Sequence, residues 1–340
     1  MPSQRPAISI LLPFRDAGPW LDECLDSIQA QSFRDFELLA VDDHSRDGSA
    51  ARVRRRRDGR FRLLRPRGRG LVAALNTGLA AARAPLVARM DADDRMHPER
   101  LQRQYHALMR DPTLMLVAGR ARAFPDALVR DGMRAYLAWQ DGLHTPREIA
   151  RELFVEAPFA HPSVCFRRAL VQRVGPYRAG PFPEDYDLWL RAQAAGLRMA
   201  RLPHTLIDWR ESPGRVSRTA AHCSREAFDR LRARYLARWL RRHLPTARPL
   251  VVWGAGRRTR QRVRHLQQRG WTPQAWIDID PRKIGNRIEG QPVYPPKWLV
   301  SARPRPFVLV YVAVHGAREL IEAELAGMGY DKGRDFLSVG

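Results

Sequence analysis

Lysine is almost missing from this chain: 59 residues are Lys or Arg, yet the lysines are only Lys283, Lys297 and Lys332. The formal net charge is +23 against 36 acidic residues, and a charge of that size ordinarily points to an anionic partner. The near-exclusive use of arginine weakens that inference, because such a skew can follow from the base composition of a gene. The arginines are scattered through nearly every segment, and no RNP, zinc-finger or basic-zipper pattern organises them. Charge by itself supports only non-specific attraction, so no specific nucleic-acid partner is expected.

Cysteine is scarce too. Cys24, Cys165 and Cys223 lie far apart and form no CxxC pair, which argues against a disulfide framework or a zinc site and fits a reducing cytoplasm. No run approaches the ~20 apolar residues needed to span a bilayer, and "MPSQRPAISI" lacks the basic-then-apolar pattern of a signal peptide. A cytoplasmic protein is expected, one that at most rests on the inner face of the plasma membrane. No GxSxG elbow is present, so covalent hydrolase chemistry is not supported.

What is present is an alternation of strand-like and helix-like segments. With 340 residues and 44% apolar content, the chain can build one large domain and one small one. "AISILLPF" (7–14), "FELLAV" (36–41), "FRLL" (61–64) and "PLVARM" (85–90) read as strands, with helices at "PWLDECLDSIQAQS" (19–32) and "LVAALNTGLAAA" (71–82). This is the βαβ rhythm of an α/β sheet, in which ligands bind beyond the carboxyl ends of the strands. A linker falls near "RRHLPTARP" (241–249). The domains expected are 1–220, a basic amphipathic helix with linker over 221–247, and a small α/β domain over 248–340.

The acids are concentrated at strand ends. "ARMDADDRM" places Asp91 and Asp93 two apart, so an extended backbone sends both from one face and Asp94 from the other. Carboxylates held this close repel unless a cation or donors lie between them, and a hard divalent ion shared with substrate phosphates is one solution. The ordinary alternative is an acidic turn capping the helix that starts near Pro98. "VDDHSRDGS" (41–49) repeats the arrangement, where Ser45 and Asp47 could simply cap a helix. "FPEDYDLWLRAQAAG" (182–196) opens a helix with Glu184 and Asp185, which the helix dipole alone could favour.

Seven segments, in order, join these clusters: "ISILLPFRD", "LDECLDSIQAQSF", "FELLAVDDHSRDGS", "ALNTGLAAA", "ARMDADDRMHPERL", "HPSVCFRR" and "PEDYDLWLR". Together they resemble the family 2 glycosyltransferases of the GT-A fold over about residues 1–220. The resemblance implies a mixed, mainly parallel sheet flanked by helices. It also implies a nucleotide-diphosphate-sugar donor, UDP-linked in the first instance, a Mg²⁺ or Mn²⁺ ion, and inversion at the anomeric carbon. By that resemblance Asp43 accepts a hydrogen bond from the uracil ring, with Pro13 and Arg15 lining the base pocket. Asp93 ligates the metal, Asp91 contacts ribose or the diphosphate and metal, and Asp185 is the general base; Glu184 is a further substrate-binding candidate, and His161 either touches substrate on the acceptor side or has a structural hydrogen-bonding role. The acceptor implied is a glycan or a lipid-linked sugar in bacterial surface polysaccharide assembly. One departure stands out: many relatives read Tyr-Arg-x-His after the last core strand, where this chain has "WRESPGRVSR" with Ser212 at the His position, so a metal ligand supplied by that His would here be either lacking or replaced by another group such as His204. Without membrane-spanning segments, one sugar is expected to be added at a time.

Past the linker, "LVVWGAGRRTRQRV" (250–263) resembles a dinucleotide fingerprint with Gly254 and Gly256 but Thr259 for the third glycine, and Asp278 follows roughly 20 residues on. A Rossmann-like domain is expected there. It would serve either as a docking module or, in the alternative assignment, as the centre of an NAD(P)-dependent oxidoreductase, for which no proton-relay pair is apparent. "SREAFDRLRARYLARWLRRHL" (224–244) spaces Phe228, Leu231, Tyr235 and Trp239 helically among arginines. Such a helix either packs on the protein or makes a peripheral contact with an anionic membrane.

Overall fold

The continuous apolar stretch Ile8–Phe14 becomes strand β1, and Phe36–Asp42 becomes β2; every position of both is buried. Strands covered on both faces show unbroken apolar runs rather than alternation, which suits the interior of a sheet. In the computed structural model, which describes residues 5–212, 214–215, 219–312 and 316–340, β1 pairs in parallel with β2 and with β4 (Leu86–Arg89). On the other side β2 pairs in parallel with β3 (Phe61–Leu64). Beyond β4 the sheet becomes mixed. β7 (Val164–Arg167) runs antiparallel to β4 and to β6 (Leu114–Phe124), β6 runs parallel to β8 (Arg198–Arg210), and β5 (Arg95–Met96) lies antiparallel on β8. The order is β3-β2-β1-β4-β7-β6-β8-β5. The expected α/β sheet, mixed and mainly parallel, is therefore present.

Helix packing follows the sequence spacing. Gly18–Gln29 is helical and buries Leu21, Cys24, Leu25 and Ile28. The helix Leu71–Ala81 lies against β1 so closely that a Cβ on Gly78 would come within 2.0 Å of Leu11 Cδ1. Only a residue without a side chain fits between helix and strand there.

Several arginines point inward. Arg191 donates to the carbonyls of Val174, Gly175 and Pro176 at 2.6, 2.7 and 2.9 Å and pairs with Asp187 at 2.8 Å. Arg100, fully buried, donates to the carbonyls of Arg89 at 2.7 Å and Val164 at 3.2 Å, joining the ends of β4 and β7. Arg201 bonds to the Gln140 and Pro158 carbonyls, and Arg167 to those of Leu108 and Leu114. Part of the basic excess is thus consumed inside the protein.

Residues 1–149 and 158–220 form one compact unit; residues 150–157 and 221–340 form the other. The second unit holds β9 (Leu250–Trp253), β10 (Ala275–Ile277), β11 (Arg287–Ile288), β12 (Gln291–Tyr294), β13 (Phe307–Val310) and β14 (Phe336–Ser338), in the order β11-β12-β10-β9-β13-β14. All its pairings are parallel except β11 with β12. The helix Arg225–His243 belongs to this unit. It buries Leu231, Tyr235, Leu236 and Leu240, and its Trp239 ring lies 5.7 Å from Phe307. Among the described residues no helix is long and apolar enough to cross a membrane.

Candidate active site

The first acidic cluster stands at the end of β2. Asp43 is buried, and its two carboxylate oxygens accept the Gly70 N–H at 2.9 and 3.0 Å while its own N–H donates to the Phe14 carbonyl at 2.8 Å. Gly70, at φ +94°, is the residue from which the helix Leu71–Ala81 departs. Of the two candidate caps, Asp47 does something else: it accepts the Ser49 N–H at 3.0 Å and the Gly18 N–H at 2.8 Å, joining the starts of two helices, and the cap position is Gly48. Ser45 accepts the Asp16 N–H at 3.0 Å, and Asp16 accepts the Arg46 N–H at 2.7 Å, so the loops after β1 and β2 are bonded to each other. Pro13 is buried within β1. Arg15 is exposed, with Nε 3.6 Å from Asp16, and is not drawn into the acidic group.

The second cluster corrects the extended geometry expected for Asp91 to Asp94. These residues form a turn between β4 and β5, with the Asp94 N–H donating to the Asp91 carbonyl at 3.3 Å. The turn brings all three carboxylates together, each offering an oxygen within 4.8 Å of the others. Asp94 is buried; one of its oxygens accepts the Arg210 N–H at 2.7 Å, and the other is buried with no hydrogen-bond partner. Burial and the charge on Asp91 raise the Asp93 carboxyl to about 6. Burial, with Asp91 and Asp93, pushes Asp94 well above the usual carboxylate range. A buried oxygen lacking a donor, within an all-oxygen set of mutually repelling carboxylates, fits a hard divalent cation such as Mg²⁺ or Mn²⁺.

His204 does not join this group; it is exposed on β8, and among the described residues the clustered ligand set consists of the three aspartates. The side chain that approaches from the segment after β8 is Arg215, three residues past Ser212. It pairs with buried Glu211, its guanidinium lies 3.9 Å over the Trp209 ring, and its charge draws Asp93 downward.

The third cluster opens the helix Glu184–Ala194. Asp185 accepts the Tyr186 N–H at 2.6 Å, and burial together with the neighbouring Glu184 raises its carboxyl to about 7. Glu184 is buried with Oε1 3.6 Å from His161 Nδ1, and His161 Nε2 lies 2.9 Å from the Tyr177 hydroxyl. Burial, reinforced by the Arg89 charge, holds His161 well below its ordinary value, so the ring is neutral at pH 7.

Arg89, at the end of β4, ties the clusters together. It is buried, pairs with Asp91, and its charge acts on Asp93, Asp94, Asp185, His161 and Tyr177. The helix that starts beside Asp43 carries Asn76, whose side-chain amide exchanges hydrogen bonds with the Tyr177 backbone at 2.9 and 3.1 Å. The Asp91–Asp94 turn and Asp185 thus both feel the charge of one buried arginine, whereas Asp43 is tied to Gly70 at the end of β2. Nothing in the sequence pattern singles out Tyr177 or Arg215, and strand alternation sets Asp94 apart from Asp91 and Asp93. An arginine embedded in the apolar strand "PLVARM" just before the acids was the available signal for Arg89.

Residues 9–175 match the profile of Glycosyl transferase family 2. The chain is 30% identical over 201 residues to the amylovoran biosynthesis glycosyltransferase AmsE of Erwinia amylovora, spanning 58% of this chain and 73% of that protein. It is 26% identical over 211 residues to the O-antigen biosynthesis glycosyltransferase WbnJ of Escherichia coli, spanning 60% and 79%. Among solved structures, S. aureus TarS 1-349 in complex with UDP-GlcNAc aligns with a TM-score of 0.53 at 17% identity, over 69% of this chain and 72% of that one. At that identity the likeness speaks to the fold.

Proposed function

Because the chain belongs to Glycosyl transferase family 2, we propose that it moves a sugar from a nucleotide-diphosphate donor, UDP-linked in the first instance, to a glycan or lipid-linked hydroxyl, with metal dependence and inversion. The observation that supports this most is the turn that gathers the Asp91, Asp93 and Asp94 carboxylates within 4.8 Å of one another, beside Arg89 and with a buried Asp94 oxygen that has no donor. The relatives AmsE and WbnJ are named for amylovoran and O-antigen biosynthesis, and we extend that setting, surface polysaccharide assembly in the cytoplasm, to this chain.

The residues divide the work by environment. Asp43, fixed by the Gly70 N–H, retains free lone pairs to accept a base N–H. Asp93, with Asp91 and Asp94 adjacent, would hold the divalent ion. That ion, when bound, supplies Lewis-acid neutralisation of the charge developing on the departing nucleoside diphosphate. Asp185, at about 7, is poised to accept the proton of the incoming hydroxyl at neutral pH. Neutral His161, hydrogen-bonded to the Tyr177 hydroxyl and 3.6 Å from Glu184, lies beside that base without adding charge. Arg89, buried and paired with Asp91, supplies a positive charge that offsets the acidic turn.

A panel of nucleotide sugars assayed for transfer and hydrolysis with Mn²⁺, Mg²⁺ or EDTA tests the proposal. Donor turnover is expected only with metal, to fall on Asp93→Asn, and to give product of opposite anomeric configuration by NMR. Metal-independent turnover refutes the ion's role; retained configuration refutes the single-displacement role of Asp185.

A further inference from the structure

A cavity of about 840 Å³ lies wholly within the second unit, at the carboxyl ends of its parallel strands. That volume falls within the range of small-molecule sites, about 300–1,000 Å³. Its position is specific. From β9 the sheet grows one way through β10 and β12, and the other way through β13 and β14, so the chain reverses direction between β9 and β13. The cavity is lined by Trp253 at the end of β9 and Gly254 after it, by Tyr311 and Val312 after β13, and by Asp278 after β10. A crevice at such a reversal is where open parallel sheets take their ligands.

The walls indicate which ligand. The loop after β9 is drawn tight: the Gly254 N–H donates to the Ile277 carbonyl at 2.7 Å with φ +112°, and the Ala255 N–H donates to Asp278 at 2.9 Å. This leads into the helix Arg257–Gln267, whose first turn has no acidic residue and no side-chain cap but carries Arg257 and Arg258. Cations at the positive end of a helix repel its dipole, an arrangement that an anion between them reverses. Of the four acids in the lining, Glu324 is exposed, Glu156 accepts the Ala157 N–H at 3.0 Å, and the two aspartates are committed to cations. Asp229 is paired with Arg232 at 2.6 Å and Arg262 at 3.1 Å, and Asp278 is held by the Ala255 and Asp280 N–H groups and by Lys283 at 3.0 Å. Arg225 and Arg258, also in the lining, are exposed and make no ion pair among the described residues. Ile279 and Leu320, each 73% exposed, present apolar surface at the cavity on opposite sides of the reversal.

We propose that this cavity is a second nucleotide site, distinct from the acidic one, that binds a nucleoside pyrophosphate. The pyrophosphate occupies the Gly254–Gly256 loop and the uncapped helix start near Arg258, a ribose lies by Asp278 and Lys283, and the base packs on Ile279. Dinucleotides and nucleotide sugars share this chemistry.

The full-length chain is titrated calorimetrically with ADP, UDP-glucose and NAD⁺ in EDTA, which silences metal-dependent donor binding. Saturable binding of at least one is expected, and which of them binds distinguishes the two sources. Gly256→Asp should weaken it at least about tenfold, because aspartate is a preferred cap and brings its carboxylate into the phosphate position. The substitution is tolerated by the fold, since nothing lies within 4 Å of an added Cβ and φ is −70°; an unchanged or raised melting temperature confirms this. Arg258→Glu should also weaken binding, whereas Asp43→Ala should leave it unchanged. No saturable binding up to millimolar ligand overturns the proposal. So does binding that survives both Gly256→Asp and Arg258→Glu, or binding lost on Asp43→Ala alone. Sugar transfer is scored separately, so its failure does not touch this result.

Discussion

Replacing Asp185 by asparagine separates a proton-accepting carboxylate from a merely structural one, because the two predict opposite changes in stability. The carboxyl sits at about 7 rather than its ordinary 3.8, first through burial and second through Glu184. The folded protein therefore holds that proton more tightly than the unfolded chain does. The stability involved is fully present below pH 3.8, is lost as pH rises toward about 7, and stays lost above it. If the whole difference reached stability it would amount to about 4 kcal/mol, at ~1.4 kcal/mol per tenfold; relaxation around the site lowers this. Asparagine carries no charge and keeps the oxygen that accepts the Tyr186 N–H. Asp185→Asn should thus be more stable than the parent by at least ~1 kcal/mol at pH 8 and nearly equal to it at pH 4. Its turnover should fall by about 10²–10⁴ with donor binding retained. Denaturant unfolding at both pH values, beside kcat and donor affinity, provides the readout. A variant that is slower and also less stable at pH 8 would refute the reasoning, as would one with unchanged turnover.

Glu184→Gln removes a negative neighbour of Asp185, so the acidic limb of the kcat–pH profile should move below about 7 yet remain above 3.8, burial being the larger cause; an unmoved limb counts against the pairing. Gly78→Val forces a side chain into Leu11 and should cost about 1–3 kcal/mol in denaturant unfolding, and unchanged stability would mean that helix and strand are less closely packed than described.

The four parallel strands β1 to β4 could be read from the sequence because they are short and mostly apolar, whereas β6 and β8, 11 and 13 residues long and interrupted by polar positions, could not. "FRLL" is β3 residue for residue, and "AISILLPF" differs from β1 only by Ala7. The acidic positions could also be located, since strand ends in an α/β pattern deliver them to one edge. Side-chain geometry could not. Asp94 was assigned to the opposite face from Asp91 and Asp93 because alternation assumes extension, and a four-residue turn cancels it. Asp47 looked like a cap, but its second oxygen is taken by Gly18, 29 residues away. Contacts at such separations, like Asn76 with Tyr177, leave no local periodicity. The helix Arg225–His243 showed its apolar stripe plainly, whereas what covers that stripe is a matter of tertiary packing: Trp239 meets Phe307.

The inward arginines give the chain's composition a meaning beyond net charge. Arg191 closes one loop by capturing three consecutive carbonyls, and Arg100 clasps two strand termini with a single guanidinium. A planar fork can bridge acceptors that face different directions; an ammonium, being a point donor on a flexible stem, cannot hold them in the same plane. Exchanging these arginines for lysine would leave the isoelectric point nearly intact and yet untie the strand ends and the loop that these two guanidinium groups hold. The scarcity of lysine, whatever its genetic origin, has become a dependence that the architecture can no longer give up.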